Sequence, residues 1–141
     1  MLGRLDHAGF LAADLAATAE RVGAQFGLEP ARELELPQFS VSAVFLGAGS
    51  GNVEVFTFTD AALLAERLQG AELLLDHAAF EVCDLRAEMA AMAARGVRFS
   101  GPDRAAPVGS PFLLGGGLHV WTLPDTSSGC ALQLIEPPPQ P

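Results

Sequence analysis

Leu5-Asp6-His7-Ala8-Gly9-Phe10 is repeated almost unchanged as Leu75-Asp76-His77-Ala78-Ala79-Phe80. Position 7 corresponds to position 77, an offset of 70 residues, and the same offset carries Asp14-Leu15 onto Asp84-Leu85. A repeat of half the 141 residues is too long for a solenoid repeat and too short for an independent domain. The sequence therefore predicts two copies of one supersecondary unit in a single structural domain: residues 1–70, with a linking helix, and residues 71–141.

Both copies show the same order of predicted elements, namely a strand, a helix and three further strands. In each copy an aspartate caps an alanine-rich helix and a glycine ends it. The predicted helices are 15–26, 60–69 and 85–95, and the predicted later strands are 31–36, 41–46, 52–58, 97–100, 118–123 and 130–136. A loop over 101–117, with three consecutive glycines, fits an active-site lid and a passive surface loop equally well. We expect an α+β fold in which two tandem βαβββ modules form a curved, cleft-bearing mixed β-sheet with helices outside.

The composition excludes several classes of protein. Half of the residues are hydrophobic, which argues against intrinsic disorder. The net charge of -9, with no lysine in the chain, is unfavourable for nucleic acid and for anionic membranes. Neither a run of about 20 apolar residues nor the apolar core of a signal peptide is present, so we expect a cytoplasmic protein. Cys83 and Cys130 are predicted to be small core residues.

Four polar residues stand where a packed strand favours aliphatic side chains: His7, His77, Glu54 and Gln133. Burying an ionisable group costs several kcal/mol unless it is paired, hydrogen-bonded or bound to a metal. A single such histidine is more often a satisfied core residue than a ligand. Because a twofold repeat can bring equivalent positions to one axis, two imidazoles with two oxygen donors predict a divalent metal site.

The repeated hexapeptide, Glu54 and the segment Ser128-Gly129-Cys130-Ala131-Leu132-Gln133-Leu134-Ile135-Glu136-Pro137 together resemble the vicinal oxygen chelate superfamily. This superfamily includes glyoxalase I, methylmalonyl-CoA epimerase, extradiol dioxygenases, and bleomycin- and fosfomycin-resistance proteins. The resemblance covers nearly the whole chain and is closest to the epimerase and glyoxalase I branch. Its motifs are more specific for the fold than for the reaction.

The resemblance implies one divalent metal ion, of the Ni, Co, Zn, Mn or Fe type, held by His7, Glu54, His77 and Gln133. The family usually has glutamate where this chain has Gln133, and an amide oxygen attracts a metal less strongly and cannot act as a base. Glu136 is the other candidate, but strand alternation places it on the opposite face from Gln133 unless a bulge intervenes.

The resemblance and the residue types together predict the residues around the substrate. The epimerases carry an acid-base glutamate at a position that corresponds to Gln38, which leaves Glu54 as the only carboxylate among the matched positions and hence as the catalytic base. Glu81 and His119 are further candidates for acid-base chemistry. The residues expected to bind the substrate are Gln38, Phe39, Phe56, Phe112, His119 and Trp121.

These features predict a metal-dependent isomerase, lyase or epimerase that removes a proton next to a carbonyl of a small substrate. The alternative is a metal-free ligand-binding protein of the bleomycin-resistance type, for which the net charge favours a cationic ligand. A weaker alternative is an iron dioxygenase with His7, His77 and Glu54 as a facial triad. The two glutamines and the missing lysines argue against a phosphate-rich CoA ester. We also expect a homodimer.

Overall fold

The computed structural model describes all residues from Met1 to Pro141 and has three helices and nine strands. The chain forms two compact units, one of residues 7–76 and one of residues 1–6 with 77–141. The strands are β1 (Leu5–Ala12), β2 (Glu29–Leu36), β3 (Val41–Ala48), β4 (Gly51–Phe58), β5 (Leu73–Glu81), β6 (Phe99–Ser100), β7 (Phe112–Leu114), β8 (Gly117–Thr122) and β9 (Leu132–Glu136). The helices are α1 (Leu15–Phe26), α2 (Ala61–Leu68) and α3 (Leu85–Ala93).

In the unit of residues 7–76 the strands lie in the order β2-β3-β4-β1. β1 pairs with β4 in parallel, and the other pairs are antiparallel. One face of these strands packs against α1 through a core that contains Leu46 and Val55. Because side chains alternate between the two faces of a strand, the neighbouring residues Phe45 and Glu54 lie on the face away from the helix.

The unit that contains residues 77–141 repeats this plan, with strand order β5-β9-β8-β6 and β7 paired to β8. β5 pairs with β9 in parallel, as β1 does with β4. Its helix α3 contributes Leu85 and Met89 to a core with Val120 and Leu134. Gln133 therefore lies on the strand face opposite α3.

The α+β class and the mixed sheet are confirmed. The aspartate caps are confirmed as well, since the side chains of Asp14, Asp60 and Asp84 each accept a backbone N–H in the first turn of a helix. α1 has the predicted limits and ends at Gly27, whose φ of 65° is in the left-handed region. None of the helices is long and apolar enough to cross a membrane.

Two expectations were wrong. The segment 101–117 is not all loop, because β7 forms a hairpin with β8 in which Leu114 pairs with Gly117. Gly115 and Gly116 form the two-residue turn, where positive φ angles of 59° and 85° suit glycine. The cysteines are also misplaced: Cys83 and Cys130 are both exposed. Cys83 follows the buried residue Val82 just after β5, and Cys130 precedes the buried residue Ala131 just before β9.

Candidate active site

His7 and Glu54 form a buried pair in the unit of residues 7–76. Gly9 of β1 is opposite Glu54 of β4, so His7, two residues before Gly9, lies on the same face as Glu54. The two side chains are almost fully buried, and His7 Nε2 is 3.1 Å from Glu54 Oε2. Donors about 2.1 Å from an ion and roughly at right angles are also about 3 Å apart. The spacing therefore suits two ligands of one ion as well as a hydrogen-bonded pair.

Phe45 and Arg32 extend this face across the next two strands. Phe45 meets the His7 ring edge-on, with 5.2 Å between centroids and an interplanar angle of 88°. The Arg32 guanidinium lies over the Phe45 ring, 4.0 Å from its centroid. Sequence reasoning missed Arg32 because an exposed arginine in an edge strand is ordinary. Arg32 is two residues from Leu34 and four from Leu36, so strand alternation places it on the same face as these apolar residues. This pattern was the signal in the sequence that could have identified it.

His77 and Gln133 occupy corresponding positions in the other unit. Ala79 of β5 is opposite Gln133 of β9, just as Gly9 is opposite Glu54. His77, two residues before Ala79, therefore lies on the same strand face as Gln133. Both side chains are buried, with 5 % exposure each. The sequence repeat is thus also a repeat of buried polar positions.

The amide of Gln133 is held in one orientation. Its Nε2 is 3.1 Å from His119 Nδ1, and because an amide nitrogen can only donate, Nδ1 accepts the hydrogen bond. The His119 ring stacks on Trp121, with 6.4 Å between centroids and 23° between planes. Gln133 Oε1 is buried and has no hydrogen-bond partner. A buried carbonyl oxygen without a donor is costly, and a bound cation would satisfy it.

The residues predicted to bind substrate differ in how far they are exposed. Phe39, Phe56 and Trp121 are buried, and Phe112 and His119 are half-buried. Gln38 is exposed in a short 3-10 helix, Pro37–Phe39. Their roles in substrate binding stay predictions.

The two other candidate carboxylates, Glu136 and Glu81, have structural partners. Glu136 Oε2 accepts the backbone N–H of Leu85 at 2.8 Å, so it caps α3 on the face away from Gln133. Glu81 pairs with the exposed guanidinium of Arg4, and its hydrogen bond raises the pKa of Arg4. This leaves Glu54 as the carboxylate on the face of the buried histidine.

Comparison with known proteins gives a family and a fold. A family model described as the Glyoxalase/Bleomycin resistance protein/Dioxygenase superfamily matches residues 6–112, more than half of the chain. No curated protein matches the chain.

Three similar solved structures illustrate the fold. Methylmalonyl-CoA epimerase from Mycobacterium tuberculosis is 20% identical, with a TM-score of 0.83 over 98% of this chain and 90% of that one. A hypothetical protein from Bacillus halodurans is 18% identical, with a TM-score of 0.80 over 98% and 96% of the two chains. A variant of Streptomyces coelicolor methylmalonyl-CoA epimerase in complex with 2-nitronate-propionyl-CoA is 21% identical, with a TM-score of 0.76 over 96% and 98%. At these identities the likeness establishes the fold alone.

Proposed function

Because the chain belongs to the Glyoxalase/Bleomycin resistance protein/Dioxygenase superfamily, we propose that it is a metal-dependent enzyme that removes a proton next to a carbonyl of a small substrate. In this proposal His7, Glu54, His77 and Gln133 hold one divalent ion, and Glu54 is the base. The class of reaction is isomerisation, elimination or epimerisation.

The unpaired Oε1 of Gln133 is the observation that carries the proposal. Its nitrogen is engaged by His119, so the amide cannot turn to satisfy the oxygen without losing that hydrogen bond. The proposal is further supported by the burial of Glu54 and of a histidine at the same position of each copy of the repeat, His7 and His77. Two imidazoles, a carboxylate and a neutral oxygen suit ions of the Zn, Ni, Co, Mn and Fe type.

The ion and the side chains have different roles in the proposed reaction. A divalent ion supplies Lewis acidity that stabilises negative charge on a carbonyl oxygen. Glu54 accepts the proton from the adjacent carbon, and its carboxylate is kept in place by His7, 3.1 Å away. Buried Phe45 and Phe56 exclude water from the same strand face.

The shortage of carboxylates favours reactions that need one base. A two-base epimerisation requires a second group that returns the proton on the opposite side of the carbon. Gln133 and Gln38 are amides and cannot transfer a proton in this way. A reaction in which Glu54 both takes and returns the proton, or eliminates a leaving group, needs no second acid.

Metal content and proton exchange test the proposal together. Protein purified without chelators should carry a stoichiometric divalent ion. NMR in D2O should show exchange of the hydrogen on the carbon next to the carbonyl group of a 2-oxo aldehyde or an acyl-CoA ester. The Glu54→Gln variant keeps an oxygen donor but loses the base, so exchange should fall about 100- to 10,000-fold. His77→Ala should lose both metal and exchange.

Glu33→Gln is the matched control, since Glu33 is exposed on the opposite face of β2 and the charge change is the same. It should leave exchange unchanged. Turnover by protein without bound metal would overturn the proposal. Protein that binds small molecules tightly but holds no metal would instead support a ligand-binding protein of the bleomycin-resistance type. The homodimer and the cytoplasmic location stay predictions.

A further inference from the structure

The chain has no lysine, so arginine supplies all of its positive side chains apart from histidine. Arg32 is the only arginine that lies within a strand. It lies in β2, an edge strand that is otherwise largely exposed. Three other arginines pair with acids: Arg4 with Glu81, Arg67 with Asp76 and Arg98 with Asp125. Arg32 has no such partner.

A β-bulge turns Arg32 toward the face of the His7–Glu54 pair. Pro30 is opposite Leu46, but the next pairing joins Arg32 to Phe45, so Ala31 is an extra residue in β2. Without it, Arg32 would be opposite Val44 and would lie on the face that packs against α1. Bulges often redirect side chains next to active sites.

The register then aligns Arg32 with the proposed base across three strands. Arg32 is opposite Phe45 of β3, and Phe45 is opposite Glu54 of β4. Directly opposite residues share a face, so the three side chains form one row. Stacking on Phe45 fixes the guanidinium while leaving its N–H groups free to donate.

Two acidic residues of β2 point elsewhere. Glu33 and Glu35 alternate with Arg32 and lie on the other face of β2, where Glu35 accepts a hydrogen bond from Ser42 at 2.6 Å. A guanidinium matches the two oxygens of a carboxylate and keeps its charge at any working pH. The row thus offers an unpaired anion-binding group two strands away from Glu54, about 10 Å by the spacing of strands.

We propose that Arg32 binds a carboxylate of the substrate, and that the carbonyl end of the substrate lies toward Glu54, about 10 Å along the row by the spacing of strands. This inference rests on the proposed function and narrows its substrates to small anionic carbonyl compounds, such as 2-oxo acids with a second, distal carboxylate. One guanidinium suits one carboxylate. It disfavours the cationic ligand that the net charge alone suggests.

Two probes of similar length test this inference. 2-Oxoglutarate and 2-oxopentanoate carry the same 2-oxo acid group and differ at the distal end, which is a carboxylate in the first and a methyl group in the second. Calorimetric titration of the metal-loaded protein should show tighter binding of 2-oxoglutarate by about tenfold or more. Arg32→Met should abolish this preference without weakening 2-oxopentanoate, and Arg32→Lys should retain part of it.

Arg21→Met is the control, because Arg21 is exposed on α1 and the change in net charge is the same. It should keep the full preference. Equal binding of the two probes by the unaltered protein, no binding of either, or an equal effect of Arg21→Met and Arg32→Met would each overturn the inference. A separate metal titration distinguishes failure of the Arg32 inference from failure of the proposed function. Arg32→Met should bind the ion as tightly as the unaltered protein, whereas absence of metal binding in both would refute the metal-dependent enzyme itself.

Discussion

The side-chain amide of Gln133 can serve a cation in only one of its two orientations, and His119 selects that orientation. Replacing His119 with phenylalanine keeps a ring against Trp121 but removes the acceptor of the Nε2–H bond. We expect divalent-ion affinity to fall about 10- to 100-fold, the usual cost of losing the partner of a ligand.

Titration with Mn²⁺ or Ni²⁺ measures this effect. Phe112→Leu is a suitable control, since Phe112 is opposite His119 in the β7–β8 hairpin and carries no polar atom. Unchanged affinity in His119→Phe would show that Gln133 Oε1 does not contact the ion. A matching loss in the control would show that packing, and not the hydrogen bond, is responsible.

Polar residues in buried strands could be identified from sequence because they interrupt runs of apolar residues. His7, Glu54, His77 and Gln133 are all buried, as the pattern of their neighbours predicted. Arg32 could not be identified in this way, because its surroundings are exposed and its face depends on one extra residue in β2. Nor could the sequence show that the Gln133 oxygen lacks a donor, since His119 reaches the amide from a neighbouring strand.

At the level of secondary structure, Glu136 links the last strand to α3. Its carboxylate accepts the Leu85 N–H at 2.8 Å, at the end of the helix where the dipole favours negative charge. Glu136→Ala should lower the free energy of unfolding by about 1 kcal/mol and the Tm by about 2–4 °C. Thermal denaturation measures the loss.

Metal affinity separates this structural role from ligation. Glu136→Ala should bind a divalent ion as the unaltered protein does, whereas Gln133→Leu should not. Glu66→Ala is a control for charge, because Glu66 is exposed on α2 and its carboxylate makes no hydrogen bond or ion pair. A loss of metal binding in Glu136→Ala would mean that the strand presents Glu136, and not Gln133, to the ion.

Elements with local signals were predictable and those that depend on pairing were less so. α1 begins after Asp14 and ends at Gly27 because both signals lie in the chain itself. The β7–β8 hairpin was missed because Gly115-Gly116 was counted as part of a glycine-rich loop. β6 has only two residues, and its extent is set by pairing with β8 more than by its own sequence.

At the scale of the whole chain, the repeat preserves the buried polar positions but not the residue type at each of them. The parallel pairs Gly9–Glu54 and Ala79–Gln133 are equivalent, yet one supplies a carboxylate and the other an amide. A symmetric pair of carboxylates would provide acid and base on both sides of a substrate. The substitution leaves one base, which is why we expect one-base chemistry from this chain.

Binding of an ion to folded but not unfolded chain must raise stability, and this gives a test that needs no substrate. An ion at 100 times its Kd adds about 2.7 kcal/mol, which corresponds to a rise in Tm of about 5 °C or more. Chelator-treated protein should therefore melt lower, and Zn²⁺ or Ni²⁺ should restore the Tm. The informative quantity is the metal-induced shift, since substitutions also change the Tm of the metal-free chain. His7→Ala and His77→Ala should each lose the shift, because the proposed site takes a ligand from both copies of the repeat. Arg21→Met should keep it. A full shift in either histidine variant would place the ion elsewhere on the protein and would remove the basis for Glu54 as a metal-assisted base.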